Sequence, residues 1–261
     1  MAVSADGCRW FVVNASPDIR DQLRWLNTEP ADVVRHVPIE GVLLTDAEVD
    51  HTLGVVLLRE ARLLPIYATA AVESVLNHDS RFLSITRAFS DVPLTELPID
   101  VPVPLRYRDG SPSGIDVAAF RVAAGPPRFA TTDADGHTVG LILRDDVRGK
   151  VCAFVPGCGD LDESTLARFQ GVDALLFDGT FWSDDELISL GVGHRTAREL
   201  DHVPINGPGG SLERLAALPC EHRIYTHVNN TNPILLEHSP ERAAVNLAGI
   251  TVGFDGLRLT L

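Results

Sequence analysis

The chain has 261 residues, of which 45% are hydrophobic and 22% charged, a composition typical of a globular protein with a sizeable core. Its formal net charge of −14 argues against nucleic acid and against an anionic membrane as partners. No apolar run approaches the roughly 20 residues of a membrane span. The start has neither the basic nor the apolar region of a signal peptide, so we expect a cytoplasmic protein.

The first third of the chain alternates predicted strands and helices, which is typical of α/β proteins. Ser16 is the predicted N-cap of the first helix, with Pro17 at its first helical position. Recurrent prolines between 90 and 116 predict edge strands and irregular loop, because proline cannot donate to a strand ladder. The predicted strands are 10–13, 41–45 and 65–68, and the predicted helices are 18–26, 53–60 and 70–78.

A β-rich block follows, in which turns at 133–136 and 145–146 indicate antiparallel hairpins. The α/β alternation then returns, and a closing hairpin is predicted over 250–261. This rhythm fits a four-layer αββα sandwich. The predicted strands are 118–124, 138–144, 150–155, 174–177 and 223–226, and the predicted helices are 162–169, 183–190, 211–218 and 240–248.

Three acids and a histidine lie between the strand at 41–45 and the helix expected from Leu53. In α/β architectures, ligands and metals collect at this edge of a sheet. For Asp46 and Glu48 the alternative is a solvated turn, since acids are favoured near helix N-termini. The adjacent pair Asp50-His51 is the candidate pair of metal ligands.

Two later strands also end in polar residues, Asp178 and His227. If these two strands and the strand before Asp50-His51 are neighbours, one Asp and two His with open positions form a reactive metal site, and non-haem iron oxygenases use this ligand set. A packed histidine at a strand end is the alternative for His227. His202 is a candidate general acid or base oriented by Asp178, with an exposed helix-end histidine as its alternative.

The glycine-rich segment, the cysteines and the remaining histidines are not assigned to the candidate site. The segment Gly207-Pro208-Gly209-Gly210 resembles an anion-binding loop before a helix but lacks a nucleotide-binding lysine. The cysteines are far apart without a C-x-x-C pair, so we expect free thiols. They are Cys8, Cys152, Cys158 and Cys220. The predicted surface histidines are His36, His78, His137, His222 and His238.

The segment 45–54 resembles the H-x-H-x-D-H signature of the metallo-β-lactamase superfamily, which has an αββα fold. Asp50 and His51 match its D-H pair, whereas Asp46 and Glu48 stand where its first two histidines would be. The remaining motifs depart as well. Cys158 stands where the superfamily has a metal-bridging aspartate.

Two further positions bear on the number of metal ions. Asn14 stands where the superfamily often has an aspartate, and no histidine occurs at a third-motif position near 123–125. The first metal site of the superfamily is therefore incomplete here. The resemblance implies one metal ion, held by Asp50, His51 and His227, and puts two-metal hydrolysis in doubt.

Longer motifs resemble one branch of that superfamily, the PqqB family of pyrroloquinoline quinone (PQQ) biosynthesis proteins. This resemblance runs from residue 2 to the C-terminus and implies a single metallo-β-lactamase-like domain over 1–261. That family usually begins with a further strand and a cysteine cluster that holds a structural zinc. We expect this domain to lack both. The motifs lie at 14–20, 45–52, 178–186, 207–210 and 227–233.

The resemblance implies a role in making PQQ, by iron-dependent, O2-using hydroxylation of the tyrosine ring of a Glu–Tyr-derived precursor. One divalent ion is expected, with iron as the functional metal and zinc as the alternative. Asp178 and His202 would move protons beside it. Asp46 and Glu48 would hold the ligands or contact a substrate amine, which completes the predicted catalytic set.

Two other functions stay open. One is a zinc-dependent hydrolase of the ordinary superfamily type, and the other is a non-catalytic carrier in the transport of PQQ or its precursor. Besides a peptide-derived small molecule and O2, the expected partners include no nucleic acid and no membrane. A homodimer is left open.

Overall fold

The structure is a computed structural model that describes residues 1–26, 37–132 and 134–261. Its strands form a five-stranded sheet in the order β1-β2-β3-β4-β5 and a seven-stranded sheet in the order β12-β11-β10-β9-β8-β7-β6. The strands are β1 (Ala2–Val3), β2 (Phe11–Val13), β3 (Gly41–Leu43), β4 (Ile66–Ala68), β5 (Leu94–Glu96), β6 (Val103–Arg106), β7 (Pro112–Arg121), β8 (Val139–Asp145), β9 (Val151–Val155), β10 (Ala174–Asp178), β11 (His222–Thr226) and β12 (Thr251–Val252).

The helices are short, and within the described ranges none is long and apolar enough to cross a membrane. Single turns of 3-10 helix occur at Leu23–Trp25, Arg198–Leu200 and Pro233–Leu235, and a π-helical turn at Val75–Asp79. The α-helices are α1 (Ile19–Gln22), α2 (Val49–Leu57), α3 (Ala70–Ser74), α4 (Phe82–Arg87), α5 (Glu163–Arg168), α6 (Glu186–Ser189), α7 (Ser211–Ala216) and α8 (Pro240–Leu247).

The chain forms two compact units. The first contains the N-terminal half, and the second contains most of the C-terminal half. The first comprises Met1–Phe120, Pro126–Val139 and Arg144–Arg148, and the second comprises Arg121–Gly125, Gly140–Leu143 and Gly149–Leu261.

In the first unit, strands β2 to β5 run parallel, and β1 pairs antiparallel with β2. Strands β2, β3 and β4 are buried along their whole length, and their uniformly apolar sequences are typical of parallel strands covered on both faces. Val13 pairs in register with Leu43, so Asn14 and Thr45 leave the sheet at the same edge.

In the second unit, β9, β10, β11 and β12 run parallel. Asp178 pairs in register with Thr226, the residue before His227. Because both strands run in the same direction, Asp178 and His227 come to the same sheet edge. The prediction that the three polar strand ends belong to neighbouring strands is confirmed for β10 and β11. It is wrong for β3, which precedes Asp50 and His51 and belongs to the other sheet.

Helix α2 begins at Val49, four residues before the predicted start at Leu53. Asp50 and His51 therefore lie in its first turn and not in a loop. The apolar pattern used for the prediction begins only at Leu53 because the first turn is polar. The N–H of His51 and the hydroxyl of Thr52 both donate to the carbonyl oxygen of Glu48, at 3.1 and 2.7 Å, which fixes this turn.

Two other sequence predictions are wrong, and one helix was not predicted. The chain after β11 forms no hairpin, because β12 pairs parallel with β11 and Gly253 N–H donates to Tyr225 O at 2.8 Å. Helix α4 occupies a segment for which no element was expected. Ser16 is not the N-cap of α1, since Asp18 holds that position and Ser16 contributes its carbonyl oxygen to Ile19 N–H.

Among the predicted surface histidines, His137 is buried, with 4% of its surface exposed. Its Nε2 lies 2.8 Å from the carbonyl oxygen of Thr132. The polar residues around His137 in the sequence suggested a surface position and gave no sign of this contact. His36, and Asp133 of the predicted turn, lie outside the described residues. All four cysteines are free thiols, as expected.

Candidate metal centre

The loop after β3 holds a buried ion pair. Asp46 is 2% exposed and His51 is 9% exposed. Nδ1 of His51 lies 2.7 and 2.8 Å from the two carboxylate oxygens of Asp46. The Thr45 hydroxyl and the Glu48 N–H also donate to this carboxylate, at 2.7 and 3.0 Å. An ionised carboxylate can only accept, so Nδ1 of His51 carries a proton, and in the neutral imidazole the lone pair is on Nε2.

Burial and ion pairing shift the pKa values of His51 and Asp46 in opposite directions. Burial alone would lower the pKa of His51, but the charge and hydrogen bond of Asp46 raise it to about 8. Burial also opposes the charge of Asp46, yet His51 and the Thr45 hydroxyl hold the pKa of Asp46 below its ordinary value. In this structure both partners are therefore charged at neutral pH.

Asn14 holds the loop from the neighbouring strand. Its backbone is left-handed, with φ 57°. Its Oδ1 accepts the Thr45 N–H at 3.0 Å, and its Nδ2 donates to the Thr45 hydroxyl oxygen at 2.8 Å. The hydroxyl proton of Thr45 is thereby directed to Asp46. A left-handed conformation is more accessible to asparagine than to most residues.

Gly54 fixes the position of α2. A Cβ at this residue would collide with the carbonyl oxygens of Ala15 and Ser16. Two backbone hydrogen bonds join α2 to the turn after β2. They run from Gly54 N–H to Ala15 O at 2.9 Å and from Ala15 N–H to His51 O at 2.7 Å. The backbone of His51 is therefore anchored to the turn after β2.

The other two acids of this loop are exposed. Asp50 precedes His51 in the first turn of α2, and Glu48 is its N-cap. Partial desolvation, followed by the charges of Asp46 and Asp50, raises the pKa of Glu48. Glu48 therefore takes up a proton more readily than an ordinary glutamate.

The second unit holds a cluster around Asp178, which is fully buried. One carboxylate oxygen accepts the Cys158 N–H at 3.0 Å and lies 2.7 Å from Nδ1 of His202. The other accepts the N–H and the hydroxyl of Thr180, at 3.0 and 2.6 Å. These contacts occupy the roughly four acceptor positions of a carboxylate.

The imidazoles of His202 and His227 stack, with ring centroids 5.4 Å apart and planes 24° apart. Ligand atoms of Asp178, His202 and His227 lie within 4.8 Å of one another, close enough for a shared ion. Because hydrogen bonds from within the protein already saturate Asp178, we interpret it as the group that orients the histidines. Its predicted place beside the metal ligands remains a prediction.

A polar network braces the turn after β11, where His227 has a left-handed backbone with φ 55°. Asn232 is 2% exposed, and its Nδ2 donates to the carbonyl oxygen of Gly179 at 2.9 Å. Buried Glu186 accepts the Trp182 N–H at 2.6 Å and the Thr231 hydroxyl at 2.5 Å. These bonds tie the His227 turn to the segment after β10.

Cys158 contributes its backbone to the cluster and not its sulfur. Its thiol donates to the carbonyl oxygen of Asp160 at 3.0 Å. Burial raises the pKa of this thiol to about 12, so the neutral form prevails. Metal ions bind the thiolate, and this environment does not favour one.

The structure thus brings Asp46 together with His51 in the first unit, and Asp178 with His202 and His227 in the second. The sequence analysis missed Thr180, Glu186 and Asn232 as parts of the site. All three lie inside the motifs at 178–186 and 227–233, so the motifs were the available signal. An ion shared by Asp50, His51 and His227 is a prediction that the geometry of either unit alone does not test.

Comparisons with known proteins agree on one family. Residues 9–228 match the model of the beta-lactamase superfamily domain. Coenzyme PQQ synthesis protein B of Gluconacetobacter diazotrophicus is 39% identical, and that of Methylobacterium nodulans is 42% identical. Each match covers 100% of this chain and 86% of the relative.

The solved structure of Zn(2+)-bound PqqB from Methylobacterium extorquens has a TM-score of 0.87 and 37% identity, over 100% of this chain and 86% of that one. These findings confirm the fold class inferred from the motifs, that of the metallo-β-lactamase superfamily. The chain belongs to the coenzyme PQQ synthesis protein B (PqqB) family.

Proposed function

We propose that the protein acts in PQQ biosynthesis and holds one divalent metal ion through Asp50, His51 and His227. Family membership supports the pathway, and a solved relative described as Zn(2+)-bound supports a metal ion. One carboxylate and two imidazoles suit iron or zinc, and this set leaves coordination positions for a substrate or oxygen.

The buried pair Asp46–His51 is the observation that carries the proposal. Metal-binding histidines usually donate their other ring N–H to a carboxylate, carbonyl or water, which fixes the tautomer and the ring orientation. Nδ1 of His51 has that partner at 2.7 Å, and both side chains are buried. A histidine that only filled the core would not need a buried charge beside it.

The proposed reaction is hydroxylation of the tyrosine ring of a Glu–Tyr-derived precursor. When bound, iron supplies the redox chemistry, while the protein supplies orientation and proton transfer. One atom of O2 enters the ring and the other leaves as water, with two electrons from an external reductant. We expect iron to be the functional metal because zinc has no redox chemistry.

The protein's own groups have separate tasks in this proposal. Asp178 holds the Nδ1 proton of His202 at 2.7 Å, so Nε2 is the nitrogen that accepts a proton from the phenol. Phe181 meets His202 edge to face, with centroids 5.8 Å apart, and keeps that ring in place. Glu48, which is exposed and lies two residues before Asp50, is the carboxylate available to a substrate amine.

The test uses the intact chain, loaded anaerobically with one equivalent of Fe(II) and given a Glu–Tyr peptide, a reductant and O2. We expect coupled oxygen consumption and a product with one added oxygen atom on the ring. The variants H51A and H227A should lose both, whereas H238A, at an exposed histidine, should retain them. No oxygen consumption by the iron-loaded protein with any tyrosine-bearing precursor would contradict the hydroxylase proposal.

The same preparation separates the alternatives. Ester or phosphodiester turnover by the zinc-loaded protein, with two ions bound, would favour a superfamily hydrolase. Tight binding of PQQ or its precursor that survives chelation would favour a carrier. We propose the hydroxylase over the hydrolase because Asp46, at a position where the superfamily signature has histidine, is already occupied by His51.

A further inference from the structure

The hydroxyl of Thr180 lies at the centre of the second cluster, at a residue that is 6% exposed. Its oxygen is 2.6 Å from Oδ1 of Asp178, 2.8 Å from Nδ1 of His227 and 2.9 Å from the carbonyl oxygen of His227. It also lies 3.1 Å from Nδ1 of His202. The Thr180 hydroxyl thus contacts both Asp178 and His227.

The donors and acceptors around the Thr180 hydroxyl determine where its proton points. A hydroxyl has one proton to give, and two of its neighbours, the Asp178 carboxylate and the His227 carbonyl, can only accept. The shortest contact is to the charged carboxylate, which is the stronger acceptor. If the proton pointed at Nδ1 of His227, two acceptor oxygens would face each other at 2.6 Å with no proton between them.

It follows that Nδ1 of His227 donates to Thr180, and the lone pair of this imidazole is on Nε2. Asp46 imposes the same tautomer on His51 by direct contact at 2.7 Å. In the second unit, Asp178 already accepts from His202 and acts on His227 through one intervening hydroxyl.

We propose that Thr180 is a positioning residue that transmits the charge of Asp178 to His227, fixing the Nδ1–H tautomer required for Nε2 to bind the metal. This inference rests on the proposed function only in taking His227 as a ligand. Asp178 thereby orients two histidines with one carboxylate, His202 directly and His227 through Thr180. Loss of an outer partner of this kind typically weakens metal binding by about 10–100-fold.

The variant T180V removes the hydroxyl and keeps the shape and the backbone N–H that donates to Asp178. T180S is its matched control, because serine restores the hydroxyl. T180A is a second hydroxyl-free variant, in case the valine methyl is not accommodated. Thermal unfolding of the metal-free proteins identifies any variant that fails to fold.

The first readout is the tautomer of His227 in the metal-free protein, from the nitrogen chemical shifts of its ring by NMR, at a pH where that imidazole is neutral. We expect Nδ1–H in the unmodified protein and in T180S, and a shift towards Nε2–H in T180V and T180A. An unchanged tautomer in both hydroxyl-free variants overturns the inference.

The second readout is zinc affinity from competition with a chromophoric chelator. We expect about 10–100-fold weaker binding in T180V, with T180S close to the unmodified protein. Unchanged affinity in folded T180V and T180A also overturns the inference. A tautomer change without metal binding by the unmodified protein would support the role of Thr180 and contradict the proposed function, so the two failures are distinguishable.

Discussion

The Asp46 carboxylate accepts a hydrogen bond from Nδ1 of His51 at 2.7 Å, in the interior of the first unit. This arrangement has two consequences. In the proposed metal site it leaves the other ring nitrogen, Nε2, as the ligand atom, and it raises the basicity of that nitrogen in the metal-free protein. The pair therefore links metal binding to pH.

Metal binding should release a proton. The charge of Asp46 outweighs burial and raises the pKa of His51 to about 8, so at lower pH the metal must displace a proton from Nε2. We expect zinc affinity to fall as pH decreases below about 8. Calorimetry in two buffers of different ionisation enthalpy measures the proton release. D46N should bind zinc about 10–100-fold more weakly and release less proton at neutral pH.

The matched control for this prediction is D91N, which removes an exposed carboxylate of the same unit. It should leave affinity and proton release unchanged. Proton release in D46N equal to that of the unmodified protein would show that Asp46 does not set the basicity of His51.

The metal-free protein should become less stable as pH rises through about 8. The pKa of His51 is raised from its ordinary value of 6.5 to about 8 on folding, so its contribution is complete below pH 6.5 and is lost above the folded pKa. The loss is on the order of 2 kcal/mol. The lowered pKa of Asp46 acts at the other end: its contribution is present above its ordinary pKa and disappears in acid.

Urea unfolding in the presence of chelator, at a series of pH values, measures this dependence. D46N should flatten the curve between pH 6.5 and about 8, because the group that raises the pKa of His51 is gone. A D46N curve parallel to that of the unmodified protein would assign the pH dependence to other groups.

The sequence predicted the strand ends of the site because each is an apolar run that stops at a polar residue, as at Asp178 and His227. The partners of those residues were not predictable in the same way. Thr180 contacts His227 across 47 positions, and Asn14 contacts Thr45 across 31. Such contacts depend on strand order and register, and no local pattern encodes them.

The dependence on distant partners also explains why the closing hairpin was wrongly predicted. The turn Asp255-Gly256 satisfies the local pattern of a hairpin, but β12 finds its partner in β11, far back along the chain. The first turn of α2 was missed because its residues are polar and do not continue the apolar period that begins at Leu53. Local preference is least informative where function selects the side chains.

Substitution of Gly54 should disturb the site without touching a ligand. In G54A the added Cβ would collide with the carbonyl oxygens of Ala15 and Ser16 and push α2 away from the turn after β2. We expect a loss of about 1–3 kcal/mol in the free energy of unfolding, as in other overpacked cores. Zinc affinity should fall as well, because His51 moves with the helix. The control is L57A, at a partly exposed residue on α2, which should leave zinc affinity unchanged.

Cys158 should be dispensable for metal binding. Its thiol donates to Asp160 O at 3.0 Å, and only its backbone N–H reaches Asp178, also at 3.0 Å. C158S retains both contacts, so we expect unchanged metal stoichiometry by elemental analysis. In the unmodified protein, exposed Cys8 should react quickly with a thiol reagent, and buried Cys158 only on unfolding. Loss of the metal ion in C158S would instead assign the sulfur to the site.

Asn14 should control which acceptor receives the proton of the Thr45 hydroxyl. Its amide donates to that hydroxyl at 2.8 Å, so the hydroxyl proton is given to Asp46 at 2.7 Å. In N14D the new carboxylate would compete for the same proton and place a second negative charge beside Asp46. We expect the pKa of His51 to rise above its value of about 8, measured by NMR titration of the metal-free protein.

N14G is the control that separates charge from backbone conformation, because glycine keeps the left-handed φ of 57° without a side chain. It removes both bonds to Thr45 and adds no charge, so the pKa of His51 should not rise. The stability of N14G should fall by roughly 1–2 kcal/mol, since the buried hydroxyl and N–H of Thr45 lose partners. Equal His51 pKa values in N14D and N14G would show that position 14 acts on the site through the backbone alone.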